Sequence, residues 1–240
     1  MLLTSKKTGE TTSQFSNRIK KHYGFKKLAI CGKLDPMARG LTIVLPDKHT
    51  GLMNGHLDSD KEYEFNIIQG ISTDSDDVLG NVMCINRDRN TEILDCYLEN
   101  LVYKKTQYFH HYSAKRLSKN GINKPLWYWY KNNQLLESEI PFKKVKVYNV
   151  KKLDTQEIDF LEYVETAKKT INTLDSDKFN KKNILNSWDR KGINFGMPPL
   201  IKHKYSIRVS SGFYVRMIAK ELKELGVCCH IYDINRTAVF

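Results

Sequence analysis

The 240-residue sequence predicts an α+β fold, because strand and helix patterns are interleaved along the chain. Segments 62–68, 141–154 and 204–211 alternate apolar with polar side chains, which is the two-residue period of half-buried strands. Segments 14–23 and 215–225 repeat apolar side chains every three or four residues, a spacing typical of amphipathic helices. A chain of this length can bury a sizeable core, as one large domain or as two small ones.

The charge balance of the chain is strongly basic. Lysine and arginine number 39 against 27 aspartate and glutamate residues, which gives a net charge of +12 at pH 7. Such an excess indicates a polyanionic partner, most simply nucleic acid, although a lysine-rich coding bias would give the same balance.

The cysteine pattern and the apolar runs indicate where the protein resides. The five cysteines form no C-x-x-C pair and have no regular spacing with histidine, so the sequence predicts neither a zinc site nor a disulfide framework. No apolar run reaches membrane-spanning length, and the N-terminus lacks a signal-peptide core. The expectation is a soluble intracellular protein of the cytoplasm or nucleus, without a membrane partner.

The first helix is predicted over residues 14–23, after a short extended start. Thr12 or Ser13 precedes it as an N-cap, whose side chain can accept a hydrogen bond from a free backbone N–H group. Phe15 and Ile19 share one face of this helix and should pack inward. The basic opposite face is typical of a solvated surface.

One acidic side chain, Asp35, lies in a predicted tight turn between Gly32 and Gly40, just before the apolar run 41–45. Pro36 fixes its own φ and pushes Asp35 toward extended geometry. The two glycines permit backbone angles that other residues resist. A carboxylate presented in this way is a candidate nucleophile. The same pattern also fits an Asx-turn that only shapes the loop.

The middle of the chain contains an acidic turn followed by a strand and a helix. After the strand at 62–68, the acidic run 74–77 lies in a turn that Gly80 closes. Alternate carboxylates suit a hard cation, but the rest of an EF-hand loop is absent, so no metal site is predicted. Residues 82–104 continue as a strand and then as a helix over 92–103.

Segment 107–131 interleaves aromatic rings with cations. Unpaired RNA bases stack on such rings while cations contact the phosphates, so an RNA-binding surface is one interpretation. An aromatic core patch with a solvated rim is the other. Because Trp127 and Trp129 alternate with Tyr128 and Tyr130, some of these rings must be structural.

The C-terminal part is predicted as helices, a strand, a further helix and a last strand. Two charged helices are expected over 158–174 and 178–188, ahead of the strand at 204–211. The helix at 215–225 ends at Gly226, a typical C-terminal cap. Residues 231–239 read as the final strand.

Separated pieces of the sequence resemble a single family. Residues 32–40, G-K-L-D-P-M-A-R-G, resemble the G-T-L-D-P-x-A-x-G motif of the TruB-type tRNA pseudouridine synthases. The other similar segments are K-x-Y, G-x-x-T-D-T-x-D-x-x-G, Q-x-P-x-x-Y-S-A-x-K, C-S-x-G-T-Y-I-R and L-R-R-T, at residues 61–63, 70–80, 107–115, 210–216 and 234–237. Their order and spacing agree over nearly the whole chain.

The resemblance implies a pseudouridine synthase fold: a long mixed, mostly antiparallel sheet flanked by helices, with the active site in a central basic cleft. It also implies cleavage of the N1–C1′ bond of uridine, rotation of the uracil and rejoining through C5, with no cofactor and no metal. Asp35 matches the catalytic carboxylate, which attacks C1′, stabilises the cleavage or takes the C2′ proton. Tyr63 matches a tyrosine that stacks on the target base and is a candidate base at C5. Arg216 matches the arginine that pairs with the carboxylate, which a planar guanidinium can hold bidentately.

The resemblance further implies a set of substrate-binding residues: Lys33, Arg39, Tyr112, Lys115, Tyr214 and Ile234. On strand geometry, Tyr214 would point the same way as Arg216 and line the same pocket. Ile234 matches an apolar residue that packs beside the base. The implied partner is RNA, most simply the tRNA T-arm, whose T-loop uridine must be flipped out before Asp35 can reach its sugar. Segment 107–131 resembles the thumb that clamps this loop.

The resemblance implies one catalytic domain over residues 1–240, acting as a monomer, with a family-variable insertion at about 155–200 and no C-terminal PUA domain. Several positions depart from the family pattern. The family's early K-P-x-G motif appears as K-K-T-G at residues 6–9, without its proline. Ile30 stands where the family has a histidine, and Phe109 stands where the thumb motif has a proline. Candidates to replace the missing histidine are His110, His111 and Tyr23.

Other functions stay open from the sequence. An RNA-binding or tRNA-folding protein with little or no catalysis would keep the basic surface and could lose the family histidine at Ile30. A synthase that acts on rRNA or mRNA would keep the same catalytic residues. The presence of Asp35, Tyr63 and Arg216 together favours an enzyme.

Overall fold

A seven-stranded sheet is the largest sheet of the computed structural model, which describes residues 1–174, 179–190 and 197–240. The strands of the described residues are, in chain order, β1 (Leu2–Lys6), β2 (Leu28–Cys31), β3 (Arg39–Pro46), β4 (Lys61–Gln69), β5 (Ile71–Thr73), β6 (Val82–Ile85), β7 (Thr106–Tyr108), β8 (Arg116–Lys119), β9 (Ile122–Pro125), β10 (Phe142–Lys144), β11 (Val147–Ile158), β12 (Leu200–Val209) and β13 (Cys229–Val239). The helices are α1 (Thr12–Tyr23), α2 (Met53–Leu57), α3 (Glu92–Asn100), α4 (Leu126–Lys131), α5 (Phe160–Asn172), α6 (Lys181–Arg190) and α7 (Arg216–Glu224). Short 3-10 helices cover Asp47–Leu52, Leu101–Tyr103 and Glu137–Glu139.

The strand order places the loop between β2 and β3 beside the last strand. The main sheet runs β1-β3-β13-β4-β12-β11, and β2 pairs with β3 as well. β2 lies antiparallel along residues 43–46 of β3, whereas β13 lies parallel to residues 39 and 40 of the same strand. The other pairings of this sheet in the described residues are antiparallel. The loop over residues 32–38 therefore leaves the sheet where β2, β3 and β13 meet.

The main core lies between the sheet and the helices α3, α5 and α7. Phe160 and Ile171 of α5 and Ile218 and Leu222 of α7 are buried in it, together with sheet residues such as Ile67. Buried apolar surface contributes about 25 cal/mol per Å². This cluster therefore holds α7 firmly against the sheet, and α7 begins with Arg216.

The α+β class and the large mixed, mostly antiparallel sheet predicted above are confirmed. The first helix begins slightly earlier than predicted, because Thr11 caps it rather than Thr12 or Ser13. The Thr11 hydroxyl accepts from the Gln14 backbone N–H at 3.2 Å, and the Gln14 side chain accepts from the Thr11 N–H at 2.8 Å. This reciprocal capping box needs Gln three residues after the cap, a condition that only Thr11 meets.

Two predicted elements after residue 140 have different bounds. The single strand predicted over 141–154 is two strands, because β10 pairs with β7 in a separate small sheet and β11 forms an edge of the main sheet. β11 continues to Ile158, where a helix was expected to begin. The helix begins at Phe160 instead, since the Asp159 carboxylate accepts from the Glu162 N–H at 2.9 Å and caps it.

Helix α6 runs from Lys181 to Arg190, against a prediction of 178–188, and Lys178 lies outside the described residues. Within the described ranges, no helix combines the length and the apolar character that crossing a membrane requires.

Candidate active site

The Asp35 carboxylate forms an ion pair with a buried guanidinium. Arg216 Nη2 lies 2.8 Å from Asp35 Oδ2, and Arg216 Nη1 lies 3.4 Å from Oδ2 of a second carboxylate, Asp77. The side chains of Arg216 and Asp77 are only 6% and 4% exposed, whereas that of Asp35 is 33% exposed. The guanidinium thus bridges one carboxylate that reaches solvent and one that does not.

The charges of this cluster are strongly coupled. Burial raises the pKa of Asp77 to about 6, even though the Arg216 charge lowers it, and the neighbouring Asp35 carboxylate raises it further. Burial would lower the pKa of Arg216, but Asp35 and Asp77 raise it overall, so the guanidinium stays charged. Asp77 is held in place by the Ser75 hydroxyl and the Leu79 N–H, which donate to its Oδ1 at 2.7 and 2.9 Å.

Two buried cations fix the loop that carries Asp35. Lys6 Nζ donates to the carbonyl oxygens of Pro36 and Ala38 at 3.2 and 2.6 Å, and burial lowers its pKa to about 8. Arg236 of β13 donates to the carbonyl of Gly32 at 3.0 Å and to that of Leu41. Donors from two distant parts of the chain therefore hold both ends and the middle of the loop.

Gly40 is required where β3 leaves this loop. Its φ is +112°, and a Cβ at this position would lie 2.3 Å from the carbonyl oxygen of Arg236. A larger residue would push β13 away from β3 and move Arg236. Close packing of β3 against β13 thus explains why the motif has a glycine at residue 40.

Tyr214 lies in the turn before α7, and not on a strand. The prediction that strand geometry aligns Tyr214 with Arg216 is wrong, because Arg216 is the first residue of a helix. The Gln107 side chain holds the turn: its Oε1 accepts from the Tyr214 N–H at 2.8 Å and its Nε2 donates to the Tyr214 carbonyl at 3.2 Å. Burial raises the pKa of Tyr214 to about 12, with further increases from Asp35 and Tyr63. The hydrogen bonds with Gln107 thus fix the backbone of Tyr214 two residues before Arg216.

His110 is fully buried behind the acidic turn. Its Nδ1 accepts from the Tyr112 backbone N–H at 3.0 Å, so its Nε2 carries the proton and donates to Asp76 Oδ2 at 2.8 Å. Burial, with help from the Arg216 charge, lowers the pKa of His110 to about 4. The ring is neutral and both nitrogens are occupied, so His110 does not replace the family histidine at the substrate.

A cavity of about 860 Å³ opens above the Asp35–Arg216 pair. Asp77 and Leu79 line its floor, and Tyr112 lines a side. Residues from α4, from α6 and from the two positions before α6 also line it: Trp127, Lys131, Phe179, Asn180 and Ile184. The volume lies at the upper end of the range for small-ligand sites, about 300–1,000 Å³.

The Lys131 ammonium lies near two aromatic rings that line the cavity with it. Lys131 Nζ is 6.0 Å from the ring centroids of both Tyr112 and Trp127. Trp127 is 41% exposed, whereas Trp129 is buried and donates through Nε1 to the carbonyl of Leu117 at 3.1 Å. The rings of segment 107–131 thus divide into structural ones and ones that face solvent.

The other sequence-predicted residues differ in burial and in the side chains that they contact. Arg39 forms a bidentate pair with Asp233, with contacts of 2.9 and 3.0 Å, and Ile234 is buried in the main core. Lys33 is exposed, and Lys115 Nζ lies 5.2 Å from the ring centroid of Phe109. Tyr63 is buried in β4, at 7% exposure, and its stacking on a base stays a prediction.

Several residues that shape the site were not singled out from the sequence. Asp77, Lys6, Arg236 and Gln107 all lie inside the quoted motifs or beside them, but a motif does not say which of its residues is buried against which. For Lys6 and Arg236, the available signal was a cation within a predicted strand. A cation at such a position is rarely buried unless it is paired, so it indicates a nearby partner. Among the described residues, no group of three or more His, Cys, Asp and Glu could hold a metal ion.

Comparisons with known proteins identify the family of this chain. The family model described as "TruB family pseudouridylate synthase (N terminal domain)" matches residues 20–171. The chain is 27% identical to the tRNA pseudouridine synthase B of Blochmanniella pennsylvanica, over 100% of this chain and 74% of the relative. It is 32% identical to the protein of the same name from Acholeplasma laidlawii, over 68% of this chain and 57% of the relative. A chain in the crystal structure of a Cbf5-Nop10-Gar1 complex superposes with a TM-score of 0.49 and 16% identity, over 98% of this chain and 47% of that one.

Proposed function

The chain belongs to the TruB family of pseudouridylate synthases, and we propose that it isomerises a uridine of tRNA to pseudouridine, with Asp35 as the catalytic carboxylate. The T-loop uridine is the proposed target, and the protein acts on it as a monomer. The observation that carries the proposal is the contact of 2.8 Å between Asp35 and the buried Arg216 at the floor of a cavity open to solvent.

The proposed reaction exchanges one bond of C1′ for another, so the product is an isomer of the substrate. The N1–C1′ bond of uridine breaks and a C5–C1′ bond forms, while the C5 proton leaves to solvent and N1 takes up a proton. Asp35 is the carboxylate that reaches the sugar, by attack on C1′ or by removal of the C2′ proton. Arg216 orients it, because a bidentate-capable guanidinium fixes both position and direction of a carboxylate.

The rest of the cavity suits an extruded nucleotide. A uridine stacked in a loop must leave the stack before its sugar can reach a carboxylate at the cavity floor. Tyr112 and Trp127 offer ring faces for bases, and Lys131 near them offers a charge for a phosphate. The net charge of +12 supports RNA as the partner.

The direct test uses tRNA labelled with tritium at C5 of uridine. We expect the wild-type protein to release tritium and Asp35→Asn to release none, while the variant binds tRNA within about twofold of wild type. Asp154→Asn is the matched control, because Asp154 is exposed on the edge strand β11, and it should release tritium at the wild-type rate. Equal release from wild type and Asp35→Asn would refute the catalytic role of Asp35.

Ile30 favours a second candidate, RNA binding without catalysis. Ile30 packs against an apolar cluster formed by Phe15, Ile19 and Val44, so an apolar side chain occupies the position of the family histidine. Binding of tRNA without tritium release from the wild-type protein would support this candidate over the enzyme. Repeating the assay on an isolated T-arm stem-loop identifies the part of tRNA that is recognised.

A further inference from the structure

Helix α6 lies in segment 155–200, which the family resemblance predicts to be an insertion. It is hydrogen-bonded to the residues that follow Asp77 in the chain. Trp188 Nε1 donates to the carbonyl of Gly80 at 3.0 Å, and the Val82 N–H donates to the Ser187 hydroxyl at 3.0 Å. Lys168 of α5 pairs with Asp189 of α6 at 2.9 Å. α6 is therefore fixed relative to the turn that carries Asp77, although the two segments are about a hundred residues apart in sequence.

This anchoring brings the start of α6 to the cavity that contains Asp35. Phe179, Asn180 and Ile184 line the cavity together with Asp35 and Arg216. Ile184 is buried, Phe179 is half-buried and Asn180 is exposed. The wall thus offers two apolar side chains and one amide, which is the chemistry that recognises an unpaired base by its face and its edge.

The cavity is large for a single extruded nucleotide. Its volume of about 860 Å³ extends from the Asp35–Arg216 pair to a wall formed by α6 and by Trp127. When the sugar of the target nucleotide is next to Asp35, the part of the cavity beside α6 remains free for the adjacent nucleotide. An enzyme that extrudes one uridine also exposes the bases on either side of it.

We propose that the start of α6, together with the two residues before it, is a specificity wall, on which Asn180 hydrogen-bonds the base edge of the unpaired nucleotide that flanks the target uridine. Phe179 and Ile184 contact the face of the same base. This inference rests on the proposed function, and it assigns the insertion a part in choosing the RNA sequence. Asn180 is a specificity-determining residue here and takes no part in bond breaking.

Asn180, immediately before α6, and Asn183 of α6 form a matched pair of residues for the test. Asn180 and Asn183 are both exposed and lie three residues apart, but only Asn180 is among the described residues that line the cavity. Tritium release is measured on T-arm stem-loops that carry each of the four bases at the positions flanking the reacting uridine. Thermal unfolding midpoints of the variants are compared to exclude a loss of fold.

We expect wild type to prefer one flanking base, and Asn180→Ala to lose about three- to tenfold in kcat/KM on that RNA while changing little on the others. Asn183→Ala should match wild type on every RNA. If Asn180→Ala keeps the full wild-type preference, or if wild type shows no preference at the flanking positions, the proposal is wrong while the isomerase assignment stands. Absence of tritium release by wild type on all RNAs would instead contradict the proposed function, and with it the wall.

Discussion

Arg216 illustrates how one buried charge can organise a site at the residue scale. Its guanidinium contacts Asp35 on the solvent side and Asp77 on the buried side. A buried charge is stable only when it is paired, so each of the three groups depends on the other two. The planar fork of arginine suits this double contact, whereas a lysine ammonium is a single point charge on a flexible stem.

We therefore expect Arg216→Lys to lower kcat by about 100-fold, because the charge remains but the Asp35 carboxylate is no longer held in one orientation. KM for tRNA should change by less than about threefold, since Arg216 is nearly fully buried. Arg89→Lys is the control, as Arg89 forms an exposed ion pair with Glu157, and it should leave both constants unchanged. A kcat of Arg216→Lys within threefold of wild type would contradict this account of the bridge.

At the scale of elements, the Asp35 loop gains its shape from segments that lie far from it in sequence. Lys6, at the end of β1, donates to the carbonyls of Pro36 and Ala38 in the loop. Arg236, in β13, donates to the carbonyl of Gly32 and to that of Leu41 just after the loop. Backbone carbonyls that are buried without a partner cost about 1–3 kcal/mol each. The sheet thus stabilises the loop in addition to the loop's own turn, in which the Ala38 N–H donates to the Asp35 carbonyl at 3.0 Å.

This arrangement predicts unequal effects for two adjacent lysines. Lys6→Met removes the donor to Ala38, while the Pro36 carbonyl keeps its hydrogen bond from the Gly9 N–H at 2.9 Å. The change should lower the free energy of unfolding by about 1–3 kcal/mol, with a parallel loss of activity through the misplaced Asp35. Lys7→Met changes an exposed side chain and should alter stability by less than about 0.5 kcal/mol. Urea denaturation of the two variants measures both values. Equal stabilities would show that Lys6 does not hold the loop.

Local sequence patterns predict the elements of this fold better than they predict contacts between distant segments. Period-two and helical patterns predicted most elements, because a buried face repeats with the geometry of its element. The predicted starts of α1 and α5 were wrong, because each start is set by a local capping hydrogen bond, at Thr11 and at Asp159. The predicted Asp35–Arg216 partnership came from motif resemblance, whereas the burial of His110 depends on contacts between distant segments and has no local signature.

At the scale of the whole molecule, buried histidines link stability to pH. His110, His203 and His230 are fully buried, and burial lowers the pKa of each to about 4, from 6.5 in an unfolded chain. The unfolded state therefore binds more protons than the folded state between pH 6.5 and 4, and stability falls as the pH falls through this window. Asp77 acts in the opposite direction. Its pKa is raised from 3.8 to about 6, so protonation below pH 6 relieves a buried charge and recovers part of the loss.

The balance of these groups predicts a protein that is markedly sensitive to mild acid. Each histidine contributes a loss of about 2 kcal/mol between pH 7.5 and pH 5, and Asp77 returns about 1 kcal/mol, for a net loss of about 5 kcal/mol. This is a large share of the 5–15 kcal/mol typical of a folded domain. Urea denaturation at the two pH values should show the fall directly, and His230→Gln should reduce its size by about two fifths. His22→Gln, at an exposed position of α1, should leave the pH dependence unchanged. Equal unfolding free energies at pH 7.5 and pH 5 would mean that the three buried rings do not remain neutral in the folded protein.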